Sequence, residues 1–571
     1  MDSFDGFSTL DEFIESPDTV DFIAQNSVFF RDYIRDKPYI FSSTELVGGY
    51  LLAYVNRDKL NSVIMDLGSA FVTAESKVLG LLGRQALESA GIMQVQQQPF
   101  LDLRGQGVII GIIDTGIDYT LNTFRYEDGT SKIISVYDQT ARGSYPYDFN
   151  IGVEYTREQI NEALKSENPF SIVPQTDTVG HGTFLASVAA GRQNDEYIGA
   201  APDSELIIVK LRKARPYYLE KYLIPPEQEN AYESSAVMLG VEYIIRKSRE
   251  IGRPAAICIG LGTSFGGHDG FSLLEEYYSE VSKITGICIC IAAGNESQAR
   301  HHFGGILTEG GEDQRVELRV GGVPGSVYIT MWNNESDRFS VSIISPTGEI
   351  VGRVPAKAGS RYESRLILER STVIIEYYFP ERGSGAQNTV IKIIDATPGI
   401  WTVVVHGDIV LSGEFHMWLP ITGFVTPGIE FVTPSPNYTV TMPSTAIGPI
   451  AIGAYNPIDN SIYAFSSWGP TRLPIAAPDL TAPGVGVSGI YPGGTGTMDG
   501  TSVATAIATG AAALMLQWGI VNRNDIAMST FQIRAYFIRG ASRTQGFLYP
   551  NSQWGFGRLN LMQTFQSMIQ E

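Results

Sequence analysis

The sequence predicts an α/β protein: a mostly parallel sheet covered by helices, preceded by a small α+β unit and interrupted by a β-sandwich. Three observations carry this reading. From about residue 100, apolar runs of strand length alternate with segments of helix length. Between about 313 and 430 short strands follow one another with turn signals and no good helix. The alternating rhythm resumes near Thr445 and continues to the end.

The first pattern predicts strands at 108–113, 205–211, 255–259 and 287–291, with helices at 182–191 and 232–251. Continuous apolar strands separated by helices imply a sheet buried on both faces, which is the property of parallel sheets. The second pattern predicts strands at 315–320, 327–332, 339–344, 366–368, 372–378, 389–394 and 401–406. Alternating short strands of this kind form antiparallel sandwiches. Residues 1–96 hold amphipathic helical and strand-like segments, such as 45–55 and 62–65. The polar stretch 94–99 lacks helix caps and reads as an exposed connector. The expected division is 1–96, 97–312, 313–435 and 436–571, the last two cuts enclosing the inserted sandwich.

A chain of 571 residues exceeds one compact core, and about three domains are expected. A formal charge of −20 argues against nucleic acid and anionic membrane surfaces as partners. The first 25 residues carry seven carboxylates and no Lys or Arg, unlike the basic start of a secretory signal. No apolar stretch is read as reaching the ~20 residues that span a bilayer. The expected location is therefore a cytoplasm-derived compartment, without classical secretion or a membrane span. Cys258, Cys288 and Cys290 read as small buried apolar residues rather than a disulfide or metal set.

Three short motifs bear chemistry. Asp114 follows an apolar strand and precedes Thr115-Gly116. His181 sits in Gly180-His181-Gly182-Thr183 at the start of a helix. Ser502 sits in Gly500-Thr501-Ser502-Val503-Ala504 at the start of a helix of small residues. In open α/β sheets, sites assemble beyond the carboxyl ends of the strands. A serine hydroxyl needs a neighbouring imidazole to take its proton, and that imidazole needs a carboxylate to fix its tautomer. Ser502 also offers its own N–H to an oxyanion at the positive end of a helix. The glycines flanking His181 are expected to allow close approach of substrate backbone. His301-His302 and Asp118 are weaker candidates. Adjacent histidines on an extended segment face opposite ways, and Asp118 reads as a turn residue. No metal or cofactor is expected.

The order Asp114, His181, Ser502 resembles the subtilisin-like serine proteases, over about 100–310 and 440–560. Ala292-Ala293-Gly294-Asn295-Glu296 resembles that family's oxyanion-asparagine motif, which implies Asn295 as side-chain donor. Gly260-Leu261-Gly262 falls where the family pairs a substrate strand, so Gly260, Leu261, Gly262, Ala292 and Gly294 are implied to bind substrate. Phe465–Pro470 and Pro478–Gly484 resemble the stretch before the nucleophile. The chain departs from the family at Phe184 and at Ala506-Ile507, where packing and not proton transfer is expected to change.

The resemblance further implies that residues 1–96 act as a chaperone-like prodomain whose tail lies in the cleft. With an apolar residue expected four positions before the cut, self-cleavage is expected after Gln96, with Gln97 second. Signal-free start, inserted sandwich and intact triad together resemble the Csp germination proteases of clostridial spores, and the sandwich would be a jelly roll. That implies location in the spore and limited proteolysis at germination, activating a cortex-lytic hydrolase zymogen (SleC-like). The prodomain would stay bound, and other Csp-family proteins would be partners. Two alternatives stand beside it: a regulatory pseudoprotease in germinant signalling, and a general degradative subtilase.

Overall fold

The structure, a computed structural model, describes residues 7, 9–68, 74, 76, 78–81, 88–98, 101–193, 197–473 and 475–569. An eight-stranded sheet forms the centre, in the order Leu480–Pro483, Ile450–Tyr455, Ile287–Ala292, Ala255–Ile259, Ile109–Asp114, Glu205–Lys210, Ile133–Asp138, Val153–Thr156. Successive pairs are parallel. The edge strand Val153–Thr156 is antiparallel to its neighbour. The three strands Ile109–Asp114, Ala255–Ile259 and Ile287–Ala292 are buried at every residue.

Alternation along these strands divides the core in two. Ile109 and Ile113 pack with Val237, Val241 and Ile244 of helix Ser234–Ile251. Ile110 and Ile112 face the other way, with Val188 of helix His181–Ala190 and Ala508 of helix Thr501–Leu516. The last helix is buried along its whole length, because Ala, Gly and Thr let it lie close against the strands. The helical stretch Thr501–Val521 is long and apolar enough to cross a membrane, which corrects the expectation that no segment reaches that length. With 89% of its apolar window buried, it is the core helix of this domain.

The N-terminal unit is an antiparallel sheet with Tyr50–Asn56 between Thr19–Gln25 and Ile40–Leu46. It shares one apolar core with helices Ser234–Ile251 and Leu273–Val281. Polar contacts pin the same face. Tyr50 Oη donates to Glu276 at 3.2 Å, and Glu242 accepts from the Val47 N–H at 3.1 Å. A buried ion cluster crosses the junction. Arg215 pairs with Asp21 of the N-terminal sheet and, at 3.0 Å, with Glu233; Arg212 reaches Glu233 at 2.7 Å. Burial alone would raise the Asp21 carboxyl, but Arg215 and Arg212 together with hydrogen bonds from Ser235 and Ser76 outweigh it and hold Asp21 down to about 2.

The inserted region is a sandwich of two antiparallel sheets with six and five strands. Alternating residues of both sheets, among them Val327, Ile329, Met331, Phe339, Val341 and Ile343, form one core. Its first strand is His302–Ile306, earlier than the expected boundary at 313. The expected strand at 366–368 lies instead at Arg361–Arg365. The polar stretch from residue 94 also differs from expectation. Ile92–Gln96 is a short helix with Val95 and Gln96 buried, not an exposed connector.

Three buried histidines meet where the sandwich rests on the α/β domain. His268 stacks on Trp418 with ring centroids 4.4 Å apart, and His302 Nε2 lies 3.1 Å from His416 Nδ1. Burial pushes His268 down to about 4, against the opposing pull of two nearby carbonyls. Burial also lowers His302 and His416. In the unfolded chain a histidine takes up its proton near pH 6.5. Between about 6.5 and 4 the unfolded state therefore binds more protons than the fold, and stability is lost as pH falls through that window. We predict a lower urea midpoint at pH 5 than at pH 7, and a shallower pH dependence in His268→Gln. Equal slopes for the two proteins would contradict this account.

Candidate active site

Asp114 is the last residue of the strand Ile109–Asp114, and His181 is the first residue of the helix His181–Ala190. His181 Nδ1 lies 2.8 Å and 2.9 Å from the two Asp114 carboxylate oxygens. A nitrogen facing two anionic acceptors carries the proton, so Nε2 is the basic nitrogen of the neutral ring. Both side chains are buried, which strengthens the bond between them.

A carboxylate that the motifs did not reveal frames this pair. Asp177 Oδ1 accepts from Thr115 Oγ1 and the Gly180 N–H, each at 2.8 Å. Its Oδ2 accepts from the Thr183 N–H at 2.9 Å and from Thr183 Oγ1 at 2.6 Å. Asp177 thereby ties the residue after Asp114 to the first turn of the histidine helix. The glycine at 182 serves the same join and not substrate approach. A Cβ there would stand 2.3 Å from the Gly116 carbonyl oxygen. A signal for Asp177 existed, four residues before His181, but nothing distinguished it from a helix cap.

Ser502 lies in the first turn of helix Thr501–Leu516, after Gly500 at a φ of +128° that suits glycine. Its Oγ donates to the Gly260 carbonyl at 3.1 Å. A Cβ on Gly260 would meet Ser502 Cβ at 3.1 Å and His181 Cε1 at 3.3 Å. Gly260 is thus the point against which both side chains pack. Asn295 approaches from the other side. Its Oδ1 accepts from the Thr501 N–H at 3.1 Å and Thr501 Oγ1 at 3.2 Å. Because a backbone N–H can only donate, the oxygen faces Thr501 and the Nδ2 amide is directed away from it. Phe184 is fully buried with its ring 4.7 Å from Tyr491, so this departure from the family pattern is a matter of packing.

The cleft is occupied by the chain itself. Strand Val78–Leu81 lies between Leu261–Gly262 and Tyr232–Glu233 in a three-stranded sheet. Leu81 pairs with Leu261 and Gly80 with Gly262; Val78 pairs with Glu233 and Leu79 with Tyr232. Ala292 and Ala293 are fully buried, and a Cβ on Gly294, at φ +107°, would stand 2.7 Å from Thr441 Cγ2. Gln96 and Gln97 are not in the cleft, which corrects their assignment as its tail. Gln96 donates its side-chain amide to Gly199 and Ala200 carbonyls at 3.1 and 2.8 Å. The Ala200 N–H in turn donates to the Val188 carbonyl, near the end of the histidine helix remote from His181. His301 and His302 point to different partners, Glu296 and His416. Asp118 closes a turn by accepting from Thr120 at 2.6 Å.

The arrangement offers a hydroxyl nucleophile, a base with a fixed tautomer and an amide donor around one point. Comparison with known proteins agrees with it. A family model described as the subtilase family matches residues 105–317 and 426–557, leaving out most of the sandwich. The solved structure of the Clostridium perfringens CspB protease is 33% identical, with a TM-score of 0.75, covering 85% of this chain and 99% of that one. The prenylagaramide maturation protease PagA is 13% identical with a TM-score of 0.40, covering 84% and 98%. The epidermin leader peptide processing serine protease EpiP of Staphylococcus aureus is 12% identical with a TM-score of 0.42, covering 97% and 99%.

If the geometry acts as described, Asp114→Asn lowers peptide-bond cleavage by about 10⁴ through the wrong imidazole tautomer. Asn295→Ala lowers it by about 10²–10³ through loss of one donor. Timed gels of each purified variant measure both, and wild-type rates in either would contradict the roles.

Proposed function

The chain belongs to the subtilase family and is a serine endopeptidase; on that premise we propose that it cuts its own chain once and then performs limited proteolysis on a single protein substrate. The observation that carries this is the strand Val78–Leu81 paired in register in the cleft. One step beyond the Leu81–Leu261 pair, Gly260 holds its carbonyl 3.1 Å from the Ser502 hydroxyl. We propose that the pairing continues by one residue, which makes Leu82–Gly83 the bond cut. Both residues lie outside the described structure. Leu79 then stands fourth before the cut, the position where an apolar residue is favoured in this family.

In the reaction, Ser502 Oγ attacks the carbonyl carbon while His181 Nε2 takes its proton. Asp114 holds the imidazolium, and the Asn295 amide with the Ser502 N–H stabilises the oxyanion. His181 then protonates the leaving Gly83 amine, and water releases the acyl group from Ser502 by the same steps in reverse. The cut strand remains seated as a product, and the buried Asp21–Arg215–Glu233 cluster favours its retention with the N-terminal unit.

The external substrate we propose is a spore cortex-lytic hydrolase zymogen of the SleC-like kind, activated by removal of its propeptide during germination, with this protein held in the spore. The likeness to a clostridial CspB protease over most of both chains supports that choice. A cleft edged by its own bound strand supports restricted rather than broad proteolysis.

Two tests apply. Leu79→Asp slows self-cleavage more than tenfold, whereas Gln96→Ala and Gln97→Ala are cut at the wild-type rate, as followed on gels after expression. Loss of cleavage in either glutamine variant would restore the original assignment. Incubated with a purified cortex-hydrolase zymogen, wild type makes one cut and Ser502→Ala none. Many cuts, or none from wild type, would overturn the proposed substrate.

A further inference from the structure

The residue after Asn295 is a buried glutamate, and its two oxygens are divided between two segments of the sandwich. Glu296 Oε2 lies 2.9 Å from His301 Nδ1. Its Oε1 accepts from the Thr422 N–H at 3.0 Å. The Glu296 N–H donates to Ser467 Oγ, also at 3.0 Å. His301 leads directly into the sandwich strand His302–Ile306, and its carbonyl accepts from the Leu419 N–H at 2.9 Å. Thr422 follows the neighbouring strand Glu414–Trp418. One carboxylate therefore joins both strands at this end of the six-stranded sheet to the turn that carries Asn295.

Within the α/β domain that turn is held by the Gly294 N–H donating to Thr501 Oγ1 at 3.2 Å, the Gly294 carbonyl accepting from the Ser467 N–H at 2.8 Å and the Ser297 N–H donating to the Phe465 carbonyl at 3.3 Å, and Glu296 adds the tie to the sandwich. Thr501 holds the Asn295 oxygen, which orients the amide about one end. Where the amide stands depends on the backbone at 295 and 296. An oxyanion donor acts only within about 2.7–3.1 Å of the developing charge. A displacement of about 1 Å from a change outside the reacting atoms can cost on the order of 10²-fold in rate. A buried carboxylate with two charge-assisted bonds is a stiff tether, stronger than a neutral amide in its place. It also lies on the edge of an open cavity of about 750 Å³ bounded by Asn295, Phe465 and the sandwich segment from Ile421 to Ile429.

We infer that Glu296 is a positioning residue for the oxyanion donor, clamping Asn295 to the inserted sandwich through His301 and Thr422. The sandwich is then a working part of the reaction centre and not an appended module. Glu296 touches no reacting atom; it acts through Asn295. The inference rests on Asn295 serving as the donor.

The test is a double-mutant cycle on self-cleavage of the full-length chain, pulse-labelled in expressing cells and followed to two fragments. Glu296→Gln slows cleavage about tenfold, His301→Gln a few-fold, and Asn295→Ala by about 10²–10³. Adding Glu296→Gln to Asn295→Ala costs no more than about twofold further, because the donor it positions is gone. A general loss of structure would instead multiply the two effects. Melting temperatures in the Ser502→Ala background check that each variant folds, and His301→Gln carries the test if Glu296→Gln does not. Wild-type rates in Glu296→Gln or His301→Gln, or a full tenfold loss persisting without Asn295, would overturn the clamp. A wild-type rate in Asn295→Ala would overturn the donor reading itself.

Discussion

The hydrogen bond between His181 Nδ1 and the Asp114 carboxylate is the constraint around which the molecule is arranged. It joins the end of a central strand to the start of a helix 67 residues later. A parallel sheet brings such ends together on one edge, which is why the fold suits the site. Close approach is then secured by absence and by charge. Gly182 leaves room for the Gly116 carbonyl, and Asp177 bonds both segments at once. Gly260 leaves room for the histidine ring and the serine side by side. Each of these positions tolerates little change, since a single Cβ would part the two elements.

Around this centre, two accessory units make buried polar contacts with the α/β domain. The N-terminal unit reaches the strand Tyr232–Glu233. Its Asp21 pairs with Arg215, which pairs with Glu233 of the strand edging the bound segment. Such a buried cluster is costly to break, because removing one partner strands an uncompensated charge. The sandwich reaches the turn that carries Asn295 through Glu296. Its contact with the α/β domain is lined by histidines held neutral, which makes that docking sensitive to acid while the site itself relies on a buried carboxylate–imidazole pair.

Much of this was legible in the sequence. Asp114, His181, Ser502 and Asn295 each sit at the junction of an apolar strand or helix with a Gly-rich turn, where local pattern and chemistry coincide. Buried strands such as Ile287–Ala292 are continuous apolar runs, and the sandwich core follows the alternation of Val327, Ile329 and Met331. The cleft strand was not legible. Val78–Leu81 is four residues long, and its partners lie more than 150 positions away, so no local pattern marks it. Gln96 was misplaced because an uncapped polar stretch resembles a linker, whereas its amide is satisfied by two buried carbonyls. His302–Ile306 was missed because two of its five residues are glycine. Asp177 and Glu296 act through hydrogen bonds to distant segments, which residue type alone does not announce.

The central claim is that Ser502 severs the chain where the register of the cleft strand ends. Intact-mass spectrometry of the purified protein tests it most directly. The account predicts two fragments from wild type that divide between Leu82 and Gly83, and one chain of 571 residues from Ser502→Ala. A single intact chain from wild type, or a division at Gln96 or Gln97, would contradict it.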